Sequence, residues 1–178
     1  AGLSTRFALA SAARAWKMAG LGAADGSPAS GFDPRRMGVY VGAGEGSLDF
    51  GAFSAAMIAA WDPESRRIGG EAWSSIAFSR MDPAREIEQE PHLTLSHVAT
   101  AFNCRGPASN CMTACAASTQ AVGEAFEIIR RGDAELMFAG GAHSMIHPLG
   151  MTGFIRLTAM STRRDEPHTA ARPFDRTR

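Results

Sequence analysis

The chain has 178 residues, 45% of them apolar and 20% charged, with 18 Lys plus Arg against 18 Asp plus Glu and so a formal net charge of zero. That length fits one domain or part of a larger one, and the apolar share is enough for a packed core, which excludes a disordered tail, a collagen-like fibre and a coiled coil. The balanced charge argues against a nucleic-acid binder held by phosphate neutralisation, which carries a basic excess.

Thr5 to Ala19 reads as a helix: Phe7, Ala8, Ala12, Ala15, Trp16 and Ala19 recur at three- and four-residue spacing, Ser4 or Thr5 caps the start and Gly20 stops it. A loop rich in Gly, Ser, Pro and Asp runs from Gly22 to Arg36. Met37 to Val41 is a strand, because Val39, Tyr40 and Val41 favour extended backbone. Gly42-Ala43-Gly44-Glu45-Gly46-Ser47 then turns the chain into a helix over Leu48 to Trp61. Asp62 to Glu90 is mixed and charged, with Pro63 and Pro83, and reads as a surface excursion with some helix. Leu93 to Phe102 is a helix, Asn110 to Ala114 a short strand, and Ala116 to Arg131 the clearest helix, ended by Gly132. Leu136 to Ala139 is a strand that runs into Gly140-Gly141. This order implies α/β layering around a mostly parallel sheet.

Cys104, Cys111 and Cys115 are separated by six and then three residues. An odd number does not suit a secreted disulfide framework, and neither the spacing nor His97 upstream completes a zinc site. No metal is expected. No apolar run reaches the roughly 18 residues of a membrane span, and the start, Ala1-Gly2-Leu3-Ser4-Thr5, has no basic segment of a signal peptide. A reducing cytoplasm is the default location.

Met112-Thr113-Ala114-Cys115-Ala116-Ala117-Ser118 places Cys115 where a strand ends and a helix begins. A helix N-terminus has unpaired N–H groups and a partial positive charge, which favours thiolate over thiol. The N–H of Cys115 can also point at a thioester carbonyl oxygen as half of an oxyanion hole. Ala114, Ala116 and Ala117 leave room for an acyl chain or a cofactor arm. The plain alternative is an inert cysteine beside an Ala-rich packing helix.

The neighbouring motifs bear on that choice. Arg105-Gly106-Pro107 precedes the cysteine. Ile129-Arg130-Arg131-Gly132-Asp133-Ala134-Glu135-Leu136-Met137 and Ala139-Gly140-Gly141-Ala142 follow its helix. Further on come Pro148-Leu149-Gly150, Gly153-Phe154, Ala159-Met160-Ser161-Thr162 and Ala171-Arg172-Pro173-Phe174-Asp175. In this order the string resembles the beta-ketoacyl-acyl carrier protein synthases, the condensing enzymes of fatty acid synthesis, from about Leu95 to Arg178 and, more weakly, over Thr5 to Leu48. The resemblance implies a thiolase-like layered α/β fold of two similar halves, working as a homodimer. Residues 1–178 would form most of the N-terminal half, with 62–90 a variable excursion within it.

The same resemblance makes Cys115 the nucleophile that takes an acyl group from acyl carrier protein. Malonyl-carrier protein then loses carbon dioxide, and its carbanion attacks the acyl thioester to give a 3-ketoacyl product. No cofactor is bound; the substrates ride on the phosphopantetheine arm of the carrier. The family's catalytic histidines and lysine belong to the other half of the fold, so this stretch alone is expected to be inactive. Ser118 stands where the family commonly has glycine, and Phe154 falls at a position that lines the acyl channel, or is an ordinary core residue.

His92, His97, His143, His147 and His168 match no catalytic position and read as solvated or packing residues. The Gly42 to Ser47 loop lacks the third glycine of a dinucleotide fingerprint and reads as a tight turn near the acyl pocket. Arg156, Arg163, Arg164, Arg172, Arg176 and Arg178 form a basic cluster that suits an acidic carrier protein or is simply a solvated loop. Other readings stay open: a polyketide ketosynthase, a thiolase-type acyltransferase of the same fold, and a non-catalytic partner resembling a chain-length factor. The cysteine favours a condensing enzyme over such a partner. No nucleic acid or membrane is an expected partner.

Overall fold

A computed structural model describes residues 2–22, 31–44 and 49–176. Among these, helix α1 (Leu3–Met18) leads to strand β1 (Met37–Gly42), and helix α2 (Phe50–Ala59) follows. A hairpin of β2 (Trp61–Asp62) and β3 (Arg67–Ile68), then helices α3 (Gly70–Arg80) and α4 (Pro83–Ile87), make up the excursion. Helix α5 (Pro91–Ala101), strand β4 (Ala108–Cys111), helix α6 (Ala117–Arg130), strand β5 (Leu136–Gly141) and helix α7 (Pro148–Arg156) complete the order. The chain divides into two compact units, residues 1–144 and 145–178.

In the first unit β1 is the middle strand of a parallel sheet in the order β4-β1-β5. Its residues are buried at nearly every position, as a parallel strand covered on both faces must be. Met37, Val39 and Val41 join Ala8 and Trp16 of α1, Val98 of α5 and the adjoining Phe102 in the main core. Trp16, Phe102 and Phe138 pack with ring centroids 4.6 to 5.7 Å apart. A buried hydrogen bond between the Thr5 and Thr94 hydroxyls, 3.0 Å, ties α1 to α5. A second, smaller core is built from Cys111, Ala117 and Ala121 with Tyr40 against it. Alanines at Ala117, Ala121 and Ala125 form the buried face of α6, so its backbone approaches the strands closely.

Several boundaries differ from the sequence expectation, each for a local reason. The strand expected over Asn110 to Ala114 lies at Ala108–Cys111, because its register runs from Val39↔Ala108 to Gly42↔Cys111, where β1 also ends. The helix expected from Leu48 to Trp61 is Phe50–Ala59; the Asp49 carboxylate caps it by accepting from Ala52 N at 3.2 Å, and Trp61 is drawn into pairing with Ile68. Glu45 to Leu48 lie outside the described residues, and with them part of the expected glycine turn. The excursion holds more order than anticipated. The Asp62 carboxylate accepts from the backbone of Glu64 and Ser65 in the hairpin turn, and Arg85 of α4 pairs with Asp49 at 2.7 Å.

In the second unit α7 carries Pro148 at its first turn, and the His147 ring accepts from Gly150 N at 3.3 Å through Nδ1. His147 is therefore a helix cap, a role that its sequence neighbourhood did not suggest. No helix among the described residues is long and apolar enough to cross a membrane.

Candidate active site around Cys115

The parallel strands β4 and β1 end together at Cys111 and Gly42, and β5 ends beside them at Gly141. The segment that leaves β4 does not enter α6 directly, as the sequence suggests. Ala114–Ala116 forms a single 3-10 turn, and α6 begins at Ala117, two residues past Cys115. Ala114 has φ of 50°, the left-handed region that a residue with a β-carbon seldom occupies, at a cost of about 1–3 kcal/mol. The turn is closed by Ala116 N donating to Thr113 O at 3.1 Å, and Thr113 Oγ1 donates to Gln120 Oε1 at 2.8 Å. Cys115 is exposed at this end of the sheet.

No side chain caps α6. The Ala116 and Ala117 N–H groups donate to Thr113 O and Ala114 O, and the helix dipole still puts partial positive charge at this end, which favours negative charge developing nearby. An exposed sulfur in a tight turn ahead of such a terminus can attack a carbonyl carbon, with main-chain donors close by for the resulting oxyanion.

Two glycines let the helix start sit this low. A β-carbon on Gly42 would lie 2.5 Å from Ala117 O and 2.6 Å from Ser118 N. One on Gly141 would lie 2.8 Å from Ser118 Cβ and 2.9 Å from Gly42 O. From below, the buried Cys111 thiol donates to Ala117 O at 3.3 Å, and Cys111 O accepts from Ala43 N at 3.1 Å. The sequence places Gly42 in a turn and Cys111 in a short strand; the glycines at the strand ends are the only visible signal of this arrangement.

The other cysteines are placed differently. Cys104 lies past the end of α5, partly buried, with burial pushing its thiol up to about 11. Tyr40, beside Cys111, has its phenol raised above the ordinary value, by burial first and then by the charges of Glu124 and Cys111.

Of the histidines, His97 binds both Glu88 oxygens through Nε2 at 2.9 and 3.1 Å. This bond, before any other cause, holds the Glu88 carboxyl below its usual range. His143 is exposed, with Nε2 3.4 Å from the β-carbon position of Gly44. His92 and His168 are exposed.

Phe154 lies in α7 of the second unit and is 38% exposed. In the basic cluster Arg163 pairs with Asp165 at 2.7 Å and Arg172 with Asp175 at 3.4 Å, whereas Arg156 and Arg164 are exposed. Arg178 lies outside the described residues. Among the described residues, no group of three or more His, Cys, Asp or Glu side chains is arranged to hold a metal ion.

Comparison with known proteins converges on one family. The model of the beta-ketoacyl synthase N-terminal domain matches residues 2–177. The chloroplastic 3-oxoacyl-[acyl-carrier-protein] synthase I of Arabidopsis thaliana is 32% identical over 173 residues, covering 97% of this chain and 33% of that protein. The 3-oxoacyl-[acyl-carrier-protein] synthase 2 of Staphylococcus aureus is 34% identical over 139 residues, 78% of this chain and 30% of that protein. Among solved structures, a beta-ketoacyl synthase from Burkholderia phymatum aligns with a TM-score of 0.72 at 29% identity, covering 98% of this chain and 38% of that one. A type II PKS acyl-carrier protein in complex with its ketosynthase bound to the hexaketide gives a TM-score of 0.62 at 27% identity, over 92% of this chain and 36% of that one. The chain spans about a third of the length of the curated relatives named here.

Proposed function

This chain belongs to the beta-ketoacyl synthase family through its N-terminal domain, and from that premise we propose that it is the nucleophile-bearing part of a 3-oxoacyl-acyl carrier protein synthase. The observation that carries the reading is Cys115, exposed in a tight turn just ahead of the uncapped start of α6. Its sulfur attacks the carbonyl carbon of an acyl group held as a thioester on acyl carrier protein. The Cys115 N–H takes up part of the oxyanion charge as half of an oxyanion hole, the carrier thiol leaves, and the acyl group stays on Cys115. Malonyl-carrier protein then loses carbon dioxide. The carbanion so formed attacks the acyl carbonyl, releasing the Cys115 sulfur and a 3-ketoacyl-carrier product.

The remaining parts of the reading follow from the same premise. The substrates arrive on the phosphopantetheine arm of the carrier, and no resident cofactor takes part. Carrier protein is the partner, a role supported by the complex among the structural relatives and by the exposed Arg156 and Arg164, which suit an acidic surface. Phe154 is assigned to the acyl channel. Residues 1–178 act as one partial synthase domain, with 62–90 as its variable excursion.

We place the protein in the cytoplasm as a homodimer. The dimer is supported by the outer edge of β4, which has no strand partner among the described residues, and by Met112, Val122 and Phe126, exposed at 58%, 52% and 63%. Elongation of a polyketide is the second reading, favoured by the likeness to a ketosynthase bound to a hexaketide.

Intact-protein mass spectrometry tests the nucleophile. The protein incubated with acyl-carrier thioester should gain one acyl mass, and Cys115→Ala should gain none. An acyl adduct that persists in Cys115→Ala would remove Cys115 from the role.

A further inference from the structure

We propose that Cys111 is a positioning residue for Cys115: from beneath α6 its thiol donates to the Ala117 carbonyl and holds the first turn of the helix in the bare saddle of Gly42 and Gly141. The inference rests on the reading of Cys115 as the nucleophile and extends it to a buried residue beneath the start of α6. Three contacts converge on Ala117 and Ser118. The Cys111 thiol reaches Ala117 O at 3.3 Å, Gly42 leaves space for that same carbonyl, and Gly141 leaves space for the side chain of Ser118 next to it. Cys111 is itself anchored, because its carbonyl accepts from Ala43 N at 3.1 Å just beyond the end of β1.

The turn that bears Cys115 needs such an anchor. Ala114 is held in the left-handed region, and a residue stays there only when its surroundings over-determine it. On the strand side the turn is fixed by the pairing of Cys111 with Gly42; on the helix side it is fixed by the seat of Ala117. Cys111 supplies both ends: its backbone belongs to the ladder and its thiol holds the helix. Released from the thiol, the first turn of α6 can lift, the Ala114–Ala116 turn can relax, and Cys115 loses its set relation to the donors around it. A reacting group displaced by about 1 Å loses as much as 100-fold in rate, so a partial release is expected to cost about fivefold.

The test compares Cys111→Ala, which removes the donor, with Cys111→Ser, which keeps one of similar size, in the same protein. Cys115 is alkylated with limiting iodoacetamide, and its rate is read by peptide mapping and divided by the folded fraction from denaturant titration. Cys111→Ala should slow Cys115 about fivefold, and Cys111→Ser should restore it to within twofold of wild type. Acyl transfer from acyl-carrier thioester should follow the same order. If Cys111→Ala does not fold, Cys111→Val takes its place as a non-donor that fills the site. Equal Cys115 rates in donor and non-donor variants overturn the proposal, and so does a Cys111→Ser protein as slow as the non-donor. A wild-type protein that takes no acyl group refutes the acyl-transfer reading, while the alkylation ratios still decide the role of Cys111.

Discussion

Replacing Gly42 by alanine puts a methyl group into the contact on which the whole site is seated. The new β-carbon would stand 2.5 Å from Ala117 O and 2.6 Å from Ser118 N, both main-chain atoms at the start of α6. Heavy atoms settle at about 3.5 Å, so about 1 Å of separation must open between β1 and the helix. A flexible side chain could turn aside, but a helix backbone held by the Cys111 thiol and by the buried face of Ala117, Ala121 and Ala125 cannot. Overpacking of this kind costs about 1–3 kcal/mol, and with main chain as the obstacle the upper end, about 3 kcal/mol, is expected. That is a large share of the roughly 5–15 kcal/mol by which a domain is stable. The same 1 Å moves the turn that bears Cys115, so acyl transfer should fall by up to about 100-fold in the protein that remains folded. Urea titration followed by acyl-adduct kinetics, corrected for folded fraction, measures both. Gly51→Ala is the control, since its methyl meets only Asp49 Oδ1 at 3.6 Å and, in the first turn of α2, should leave stability unchanged or raise it by up to about 1 kcal/mol. A Gly42→Ala protein as stable as that control, with acyl transfer unchanged, would refute the close seating of α6 on β1.

Two further outcomes are expected. With the Cys104 thiol pushed from 9.0 to about 11, its thiolate fraction at pH 7 is about 100-fold below that of an unperturbed thiol, so limiting iodoacetamide should label Cys115 first, Cys104 far behind it and buried Cys111 last; time-resolved peptide mapping gives the three rates, and a leading rate at Cys104 or Cys111 in folded protein contradicts the assigned exposures. The Glu88 carboxyl is held below its unfolded value by His97, so its contribution is present above that unfolded value, about 4.3, and is lost as the pH falls through the lower native value. Glu88→Gln should therefore lower stability at pH 6 by less than about 1 kcal/mol, since the pair is partly exposed, and should flatten the loss of stability below pH 4; parallel denaturation curves at every pH in wild type and variant would show that the pair contributes nothing.

Local chemistry in the sequence is sufficient for much of this architecture. The three- and four-residue spacing through Phe7, Ala8, Ala12 and Trp16 is a helix because only one face can be buried, and α1 follows it within two residues at its start. The run Val39-Tyr40-Val41 can satisfy its backbone and bury both faces inside a sheet covered on both sides, and it became the middle strand of a parallel one. Cys115 was legible as a candidate nucleophile because a small-residue junction between strand and helix is a local pattern, and the family likeness was legible because its motifs run in order along the chain.

The tertiary structure alone decided how that cysteine is held. The end of β4 is set by its register against β1, a pairing across about 70 positions of chain that no window of Asn110 to Ala114 contains. The left-handed Ala114 is not a residue type that announces such a turn; it is forced by strand pairing on one side and helix seating on the other. The bond from Cys111 to Ala117 and the space left by Gly42 and Gly141 exist only once the three parallel strands stand side by side. Propensity acts between neighbours in sequence, whereas steric exclusion and hydrogen bonding act between neighbours in space, and the surroundings of Cys115 are built from the second kind.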